Sequence, residues 1–206
     1  MEKLIELFKE TTLQNLNFET KFLELSDYLM NNFLININNK KFQIIECEIY
    51  HLNNYHPDEY THKNKIQSQF CKWYIHEVGI DLTFGNPESY SSILVRGIYS
   101  LDEDKYFSGP ILVRNKLLSN LNSFTEITPN KIVIEKDINI EKSTILSSYR
   151  IGLSDKCIDF KKRKYRFISR LNVYHKFKDK EKVIRENINN LRNYEEILGY
   201  KLKKNE

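Results

Sequence analysis

Phe22, Leu25, Leu29 and Phe33 recur at steps of three and four residues, the apolar stripe of a helix within the first forty positions. Asn38-Asn39 marks a turn, after which Phe42–Tyr50 reads as a strand. Residues 51–64 are polar, carry the turn signal His56-Pro57-Asp58, and read as a loop of functional length. Trp73–Ile75, Ile80–Phe84 and Ile93–Tyr99 are strand-like, and Gly79, Gly85, Asn86 and Pro87 punctuate them as in a hairpin or meander. Ser108-Gly109-Pro110 predicts a helix opening over Ile111–Leu118. Lys131–Glu135 and Tyr165–Val173 read as further strands. Asp179–Gly199 reads as one charged amphipathic helix, with Val183, Ile184, Ile188, Leu191 and Ile197 on its apolar side. No linker interrupts the pattern. The expectation is one mixed α/β domain over 1–206, with a helical segment at 1–40 and a terminal helix at 179–199.

Composition changes this picture little. A chain of 206 residues with 40% hydrophobic and 29% charged positions can bury one sizeable core. The net charge of +4 permits nucleic-acid binding without demanding it. Cys47, Cys71 and Cys157 are odd in number and widely spaced, which predicts reduced thiols and a cytoplasmic protein. No apolar run approaches the roughly 18–20 residues of a membrane span, so no membrane partner is expected.

The chemistry-bearing segment is Glu46-Cys47-Glu48-Ile49-Tyr50. Alternate residues of a strand share a face, so Glu46, Glu48 and Tyr50 point the same way. Asp58-Glu59-Tyr60-Thr61-His62 then adds an imidazole. A carboxylate, an aromatic ring and a histidine can grip a planar base and activate a water beside it. Each also has a plainer role: a glutamate on a solvated sheet face, a histidine in a turn, Asp81 as a cap, Trp73 and Tyr74 in the core. His51, His56, Asp58, His62 and His76 match no established zinc spacing, and there is no Cys-x-x-Cys pair. No metal or cofactor is expected. Glycine-rich phosphate loops and Gly-x-Ser-x-Gly elbows are absent from the sequence.

Several segments, in order over roughly residues 42–175, resemble the alkyladenine (3-methyladenine) DNA glycosylase family. Glu48-Ile49-Tyr50 resembles its Glu-x-Tyr, and Asp58–His62 its acidic run ending in a pocket histidine. Gly79–Thr83 resembles an apolar strand that in the family carries a pocket asparagine. Ile93-Leu94-Val95-Arg96 resembles an aliphatic strand ending in arginine, and Gly109-Pro110 a helix start. Tyr149–Leu153 and Tyr165–Ile168 resemble its Arg-Ile-Gly and Arg-Phe segments. The resemblance implies an α+β fold with a curved, largely antiparallel sheet flanked by helices. It implies that Glu48 is the catalytic base, with Arg96 and a backbone carbonyl near Ser169 holding the water. Tyr50 and His62 would sandwich a flipped base, with Asp81 at the pocket floor and Tyr74 as a wedge or pocket residue. The chain departs from the family in three places. Lys63-Asn64 replaces an Arg-Asn pair, the wedge hairpin is shortened to Ile75–Gly79, and Asp81 replaces asparagine.

Between Lys161 and Lys178 stand eight Lys or Arg residues, interleaved with Tyr165, Phe167, Tyr174 and Phe177. The cluster Lys161, Lys162, Arg163 and Lys164 is the candidate phosphate-contacting patch, although a solvated charge run is its plain alternative. The resemblance implies a monofunctional DNA glycosylase of a purine-type base, expected to be a monomer. Two alternatives stand beside it. One is a noncatalytic nucleic-acid or nucleotide-binding protein on the same scaffold, with RNA as a further partner. The other is a glycohydrolase of free nucleosides or other N-glycosides.

Overall fold

The computed structural model describes residues 1–10, 17–190 and 193–202. Helices α1 (Glu2–Glu10) and α2 (Phe18–Asn32) come first. Asn17 caps α2, its Oδ1 accepting the Thr20 N–H at 3.3 Å. The α2 stripe is fully buried at Phe22, Leu25 and Leu29. Phe33 is equally buried but is extended and begins strand β1 (Phe33–Ile37). The N-terminal segment is thus helical only to Asn32. Phe33 extends the helical spacing, so periodicity alone missed the change to strand.

Strand β2 (Lys40–Asn53) is the spine. It pairs antiparallel with β6 (Tyr90–Ser100) from Phe42 to Leu52. Its other edge takes β1 at residues 40–43 and β10 (Arg166–Ile168) at residues 46–48. Beyond β6 lie β5 (Gly79–Thr83) and then β4 (Trp73–His76), while β8 (Ile132–Lys136) edges β1. β3 (His56–Pro57), β7 (Lys105–Ser108) and β9 (Leu146–Ser148) extend this antiparallel sheet, which curls into a half-barrel. The fold is α+β, as the resemblance implied.

One irregularity positions the site. Ile44 pairs with Ile98, Glu46 with Gly97 and Cys47 with Val95, so Ile45 on β2 and Arg96 on β6 are both skipped. This double bulge changes the parity of both strands. Ile44 and Cys47, three residues apart, both join the core under α2, as do Val95 and Ile98. Glu46 and Glu48 are left together on the opposite face, with Arg96 between them. The skipped carbonyls stay bonded: Ile45 O accepts from Ser169 N at 2.9 Å and Arg96 O from Gly109 N at 2.7 Å. Gly97 is required here, because a Cβ would lie 2.9 Å from Glu46 Cβ.

Helix α3 (Pro110–Leu118) opens at its proline as expected. The polar stretch 51–64 is more ordered than a loop. β2 continues to Asn53 and turns into β3, with Asn53 Oδ1 accepting the Tyr55 and His56 N–H groups. The strand expected over Tyr165–Val173 stops at Ile168, since Ser169 bonds Ile45 and Arg170 turns left-handed at φ 48°. After the short helix α4 (Ile158–Lys161), the expected helix 179–199 is broken into α5 (Lys180–Glu186), a 3-10 turn (Ile188–Asn190) and α6 (Tyr194–Leu198). Asn187 ends α5, its Nδ2 donating to Val183 O and Ser147 O. Val183 and Ile184 pack in a second small core with Leu146, Ile168, Phe177 and Leu198. Leu191 lies outside the described residues.

Candidate active site

The Glu48 side chain is wholly buried. Its Oε1 accepts the Ile151 N–H at 2.8 Å and lies 3.4 Å from Arg96 Nε, while Oε2 accepts the Tyr50 O–H at 2.8 Å. Arg96 is shared: its Nε also donates to Glu46 Oε1 at 3.2 Å. Arg166, opposite Glu48 on β10, donates to the same Glu46 oxygen at 2.8 Å, and Ser108 Oγ donates to Glu46 Oε2 at 3.3 Å. Desolvation pushes the Glu48 carboxyl above its ordinary range; Arg96, the Ile151 amide and Tyr50 pull it back, and Glu46 raises it further. Desolvation, then Glu48, holds the Tyr50 phenol well above its ordinary value. Both groups work from inside the protein, where charges are weakly screened.

Glu48 lines no opening itself, but its partner Tyr50 lines one and its partner Ile151 another. On the Tyr50 side is a narrow cavity of about 60 Å³ lined by Tyr50, Tyr60, His62, Gln67, His76, Val78, Asp81 and Leu94. A cavity of this size admits water-sized groups. On the Ile151 side is an open groove of about 620 Å³. Lys161, Lys162, Lys178 and Lys182 edge it, together with Arg166 and the Ser148–Gly152 segment.

A buried ion pair fixes the wall between them. Arg150 meets both Asp58 oxygens, at 2.6 and 3.0 Å, and donates to Ile49 O at 3.1 Å and Phe160 O at 3.2 Å. Its guanidinium lies 4.6 Å from the Tyr50 ring centre and 5.4 Å from those of Tyr60 and Tyr165. One residue on, Ile151 delivers its amide to Glu48.

The structure brings Glu48, Arg96, Tyr50, His62 and Asp81 to one place. Other expectations are corrected. Ser169 bonds Ile45, three strand residues or roughly 10 Å from Glu48, and its carbonyl accepts from His175 Nδ1, so it does not hold water for Glu48. Both Asp81 oxygens are already engaged, Oδ1 by His76 Nε2 at 2.9 Å and Oδ2 by Ser92 Oγ at 2.6 Å. Tyr74 is no wedge: it is buried, stacked on His76 at 4.7 Å and set 6.2 Å from the His62 ring. The hairpin exposes Ile75 and Val78 instead. Trp73 is half-buried and donates from Nε1 to Ile132 O. The basic run lies on the last residue of α4 and the turn after it. Lys161 and Lys162 face the groove, and Lys161 pairs with Asp155 at 2.6 Å. Arg163 is exposed beside them, and Lys164 donates its backbone N–H to Glu19.

Sequence reasoning gave no role to His76, Gln67, Arg150 or Arg166. For His76 a signal existed. A tight hairpin through Glu77-Val78 sets His76 opposite Gly79, hence diagonal to Asp81 on one face. Among the described residues, no group of three or more His, Cys, Asp or Glu side chains could hold a metal ion. No helix among them is long and apolar enough to cross a membrane. No family model matches the chain. An uncharacterized protein of Acanthamoeba polyphaga mimivirus, L759, is 27% identical over 198 residues, covering 79% of this chain and 91% of the relative.

Proposed function

We propose that this chain hydrolyses N-glycosidic bonds in the manner of a monofunctional DNA glycosylase, releasing a damaged or modified purine-type base. The observation that carries the reading is the buried Glu48 carboxylate, whose partner Tyr50 lines an aromatic and imidazole cavity and whose partner Ile151 lines a lysine-edged groove. A base would enter the cavity and the sugar-phosphate chain would follow the groove, leaving the anomeric carbon near Glu48. An ionised carboxylate has about four acceptor positions. Oε1 accepts from the Ile151 amide and faces the Arg96 cation, whereas Oε2 accepts only from Tyr50, so Oε2 is the oxygen assigned to the water. Glu48 would take that water's proton and stabilise the oxocarbenium-like sugar, contributing about 10²–10⁴-fold as a base and more through fixed charge. Entry of a base requires Val78 and His62 to move aside, and Val78 is already exposed at the hairpin tip.

The test is incubation with duplex and single-stranded oligonucleotides carrying a panel of lesions, followed by alkaline cleavage of abasic sites. Free nucleosides are assayed in parallel. Wild-type protein should release a base, and Glu48→Gln should bind the same duplex with single-turnover release lowered at least 100-fold. Equal rates for the two proteins would remove Glu48 from the reaction. Binding should weaken steeply with salt, and Lys161→Ala/Lys162→Ala should flatten that slope.

A second reading is favoured by the narrow cavity and by Arg96 beside Glu48: a noncatalytic nucleic-acid-binding protein. Tight, salt-sensitive binding with no base release from any lesion would establish it.

A further inference from the structure

We propose that the lysine-edged groove holds a single strand of nucleic acid, its bases stacking on Tyr149, rather than the face of a duplex. This rests on the reading above in taking the groove as the path of a sugar-phosphate chain, and it does not depend on base release. Cations reach the groove from two elements, Lys161 and Lys162 from the end of α4, Lys178 and Lys182 from the start of α5. Lys161 meets Asp155 at 2.6 Å and Lys182 lies 4.0 Å from Glu186. Lys162 and Lys178 are exposed and make no ion pair among the described residues. Two carboxylates, Asp155 and Asp179, line the groove against six Lys and Arg side chains, so an anion is the occupant its charge fits.

One of those six is a fixed donor. Arg166 lines the groove yet is 1% exposed. Its Nε donates to Glu46 at 2.8 Å and its Nη2 to Lys178 O at 3.0 Å, which leaves Nη1 uncommitted among the described residues. A guanidinium held at two nitrogens is a placed phosphate contact, unlike a lysine free to swing on its stem.

The apolar lining decides what kind of chain follows the phosphates. Tyr149 and Ile158 line the groove and are exposed, and Lys182 Nζ lies 5.9 Å from the centre of the Tyr149 ring. A duplex keeps its base faces stacked inside and offers such a surface chiefly phosphate and sugar. A single strand offers phosphates and open base faces together, and an aromatic ring set among cations matches both. The volume agrees: about 620 Å³ is the size of a small-molecule site, which admits the nucleotides of one strand rather than a double helix. A base carried on a single strand also reaches the cavity beside Tyr50 without breaking a pair, the case in which extrusion costs least.

The experiment measures binding of short labelled oligothymidylate, oligouridylate and a duplex of the same strand length by fluorescence anisotropy across a salt series. Wild-type protein should bind a single strand at least about 10-fold tighter than the duplex, and the tighter of the two strands names the sugar. Tyr149→Ala should lose about 10-fold or more on the single strand, the worth of one stacked base, and change duplex binding less than about 2-fold. Tyr149→Phe should restore the single-strand affinity. Lys162→Ala/Lys178→Ala should make the slope of log affinity against log salt shallower by about 1.4, from about 0.7 per phosphate on a single strand. These side chains are at the surface, so the variants should keep the wild-type melting temperature. Indifference to strandedness overturns the proposal, as does an unchanged single-strand affinity in Tyr149→Ala. Displacement of the strand by polyglutamate at equal charge concentration would show an acidic-peptide surface and overturn it too. A single-strand preference with no base release from any lesion leaves the groove assignment standing and defeats the glycosylase reading alone. Base release with no single-strand preference does the reverse.

Discussion

Asp58→Ala should be among the most damaging single changes in the chain. It strips the Arg150 guanidinium of both carboxylate contacts, at 2.6 and 3.0 Å, where neither side chain has any exposed surface. The arginine keeps only the Ile49 and Phe160 carbonyls and three aromatic rings. Removing one partner of a buried pair costs about 3–5 kcal/mol, because a charge is left unpaired away from water. Folded domains have roughly 5–15 kcal/mol in all. For a chain of this size each kcal/mol corresponds to about 2–4 °C, so the melting temperature should fall by about 6–20 °C. The paired change Asp58→Leu/Arg150→Met removes both charges and should recover at least half of that loss, although two carbonyls then lack a donor. Differential scanning calorimetry of the three proteins decides it. A single-variant loss below about 1 kcal/mol, or a double variant no better than the single, would refute the reasoning.

Gly97→Ala should cost about 1–3 kcal/mol by overpacking, since the new Cβ would meet Glu46 Cβ at 2.9 Å and Ile45 Cγ1 at 3.3 Å; an unchanged urea midpoint would show that the bulge yields freely. Acid should destabilise the fold well before carboxylates titrate. Desolvation, chiefly, lowers His51 to about 3 and His175 to about 4, whereas the unfolded chain protonates histidine below about 6.5. Between those limits the unfolded state binds more protons, so stability falls as the pH falls below about 6.5. The urea midpoint should be clearly lower at pH 5 than at pH 7, and an identical midpoint would contradict the burial of these rings as neutral groups.

The strands were legible where alternation or apolar runs are bounded by glycine or asparagine, as at Phe42–Tyr50 and Ile80–Phe84. They were illegible where one pattern ran into another. Phe33 continues the α2 spacing yet starts β1, and Val183, Ile184 and Ile197 look like one helix although Asn187 divides it. At the site, the shared face of Glu46, Glu48 and Tyr50 followed from a two-residue period. That Arg96 would lie between the two glutamates did not, because a bulge is a tertiary event with no periodic signature. Arg150 and Asp58 are ninety-two positions apart, and nothing local announces their pairing.

The two skipped residues cancel. β2 carries one surplus position at Ile45 and β6 carries one at Arg96, so the ladder on either side keeps the frame it would have without them. Removing both residues together would leave an even antiparallel β2–β6 pair with Ile44, Cys47, Val95 and Ile98 still facing inward and the glutamates still facing out. The arginine that bridges the carboxylates is thus an insertion into an otherwise regular sheet. The same two residues also tie down neighbouring elements, Ile45 through Ser169 and Arg96 through Gly109, so the cation beside Glu48 and the seams of the sheet are set by one irregularity.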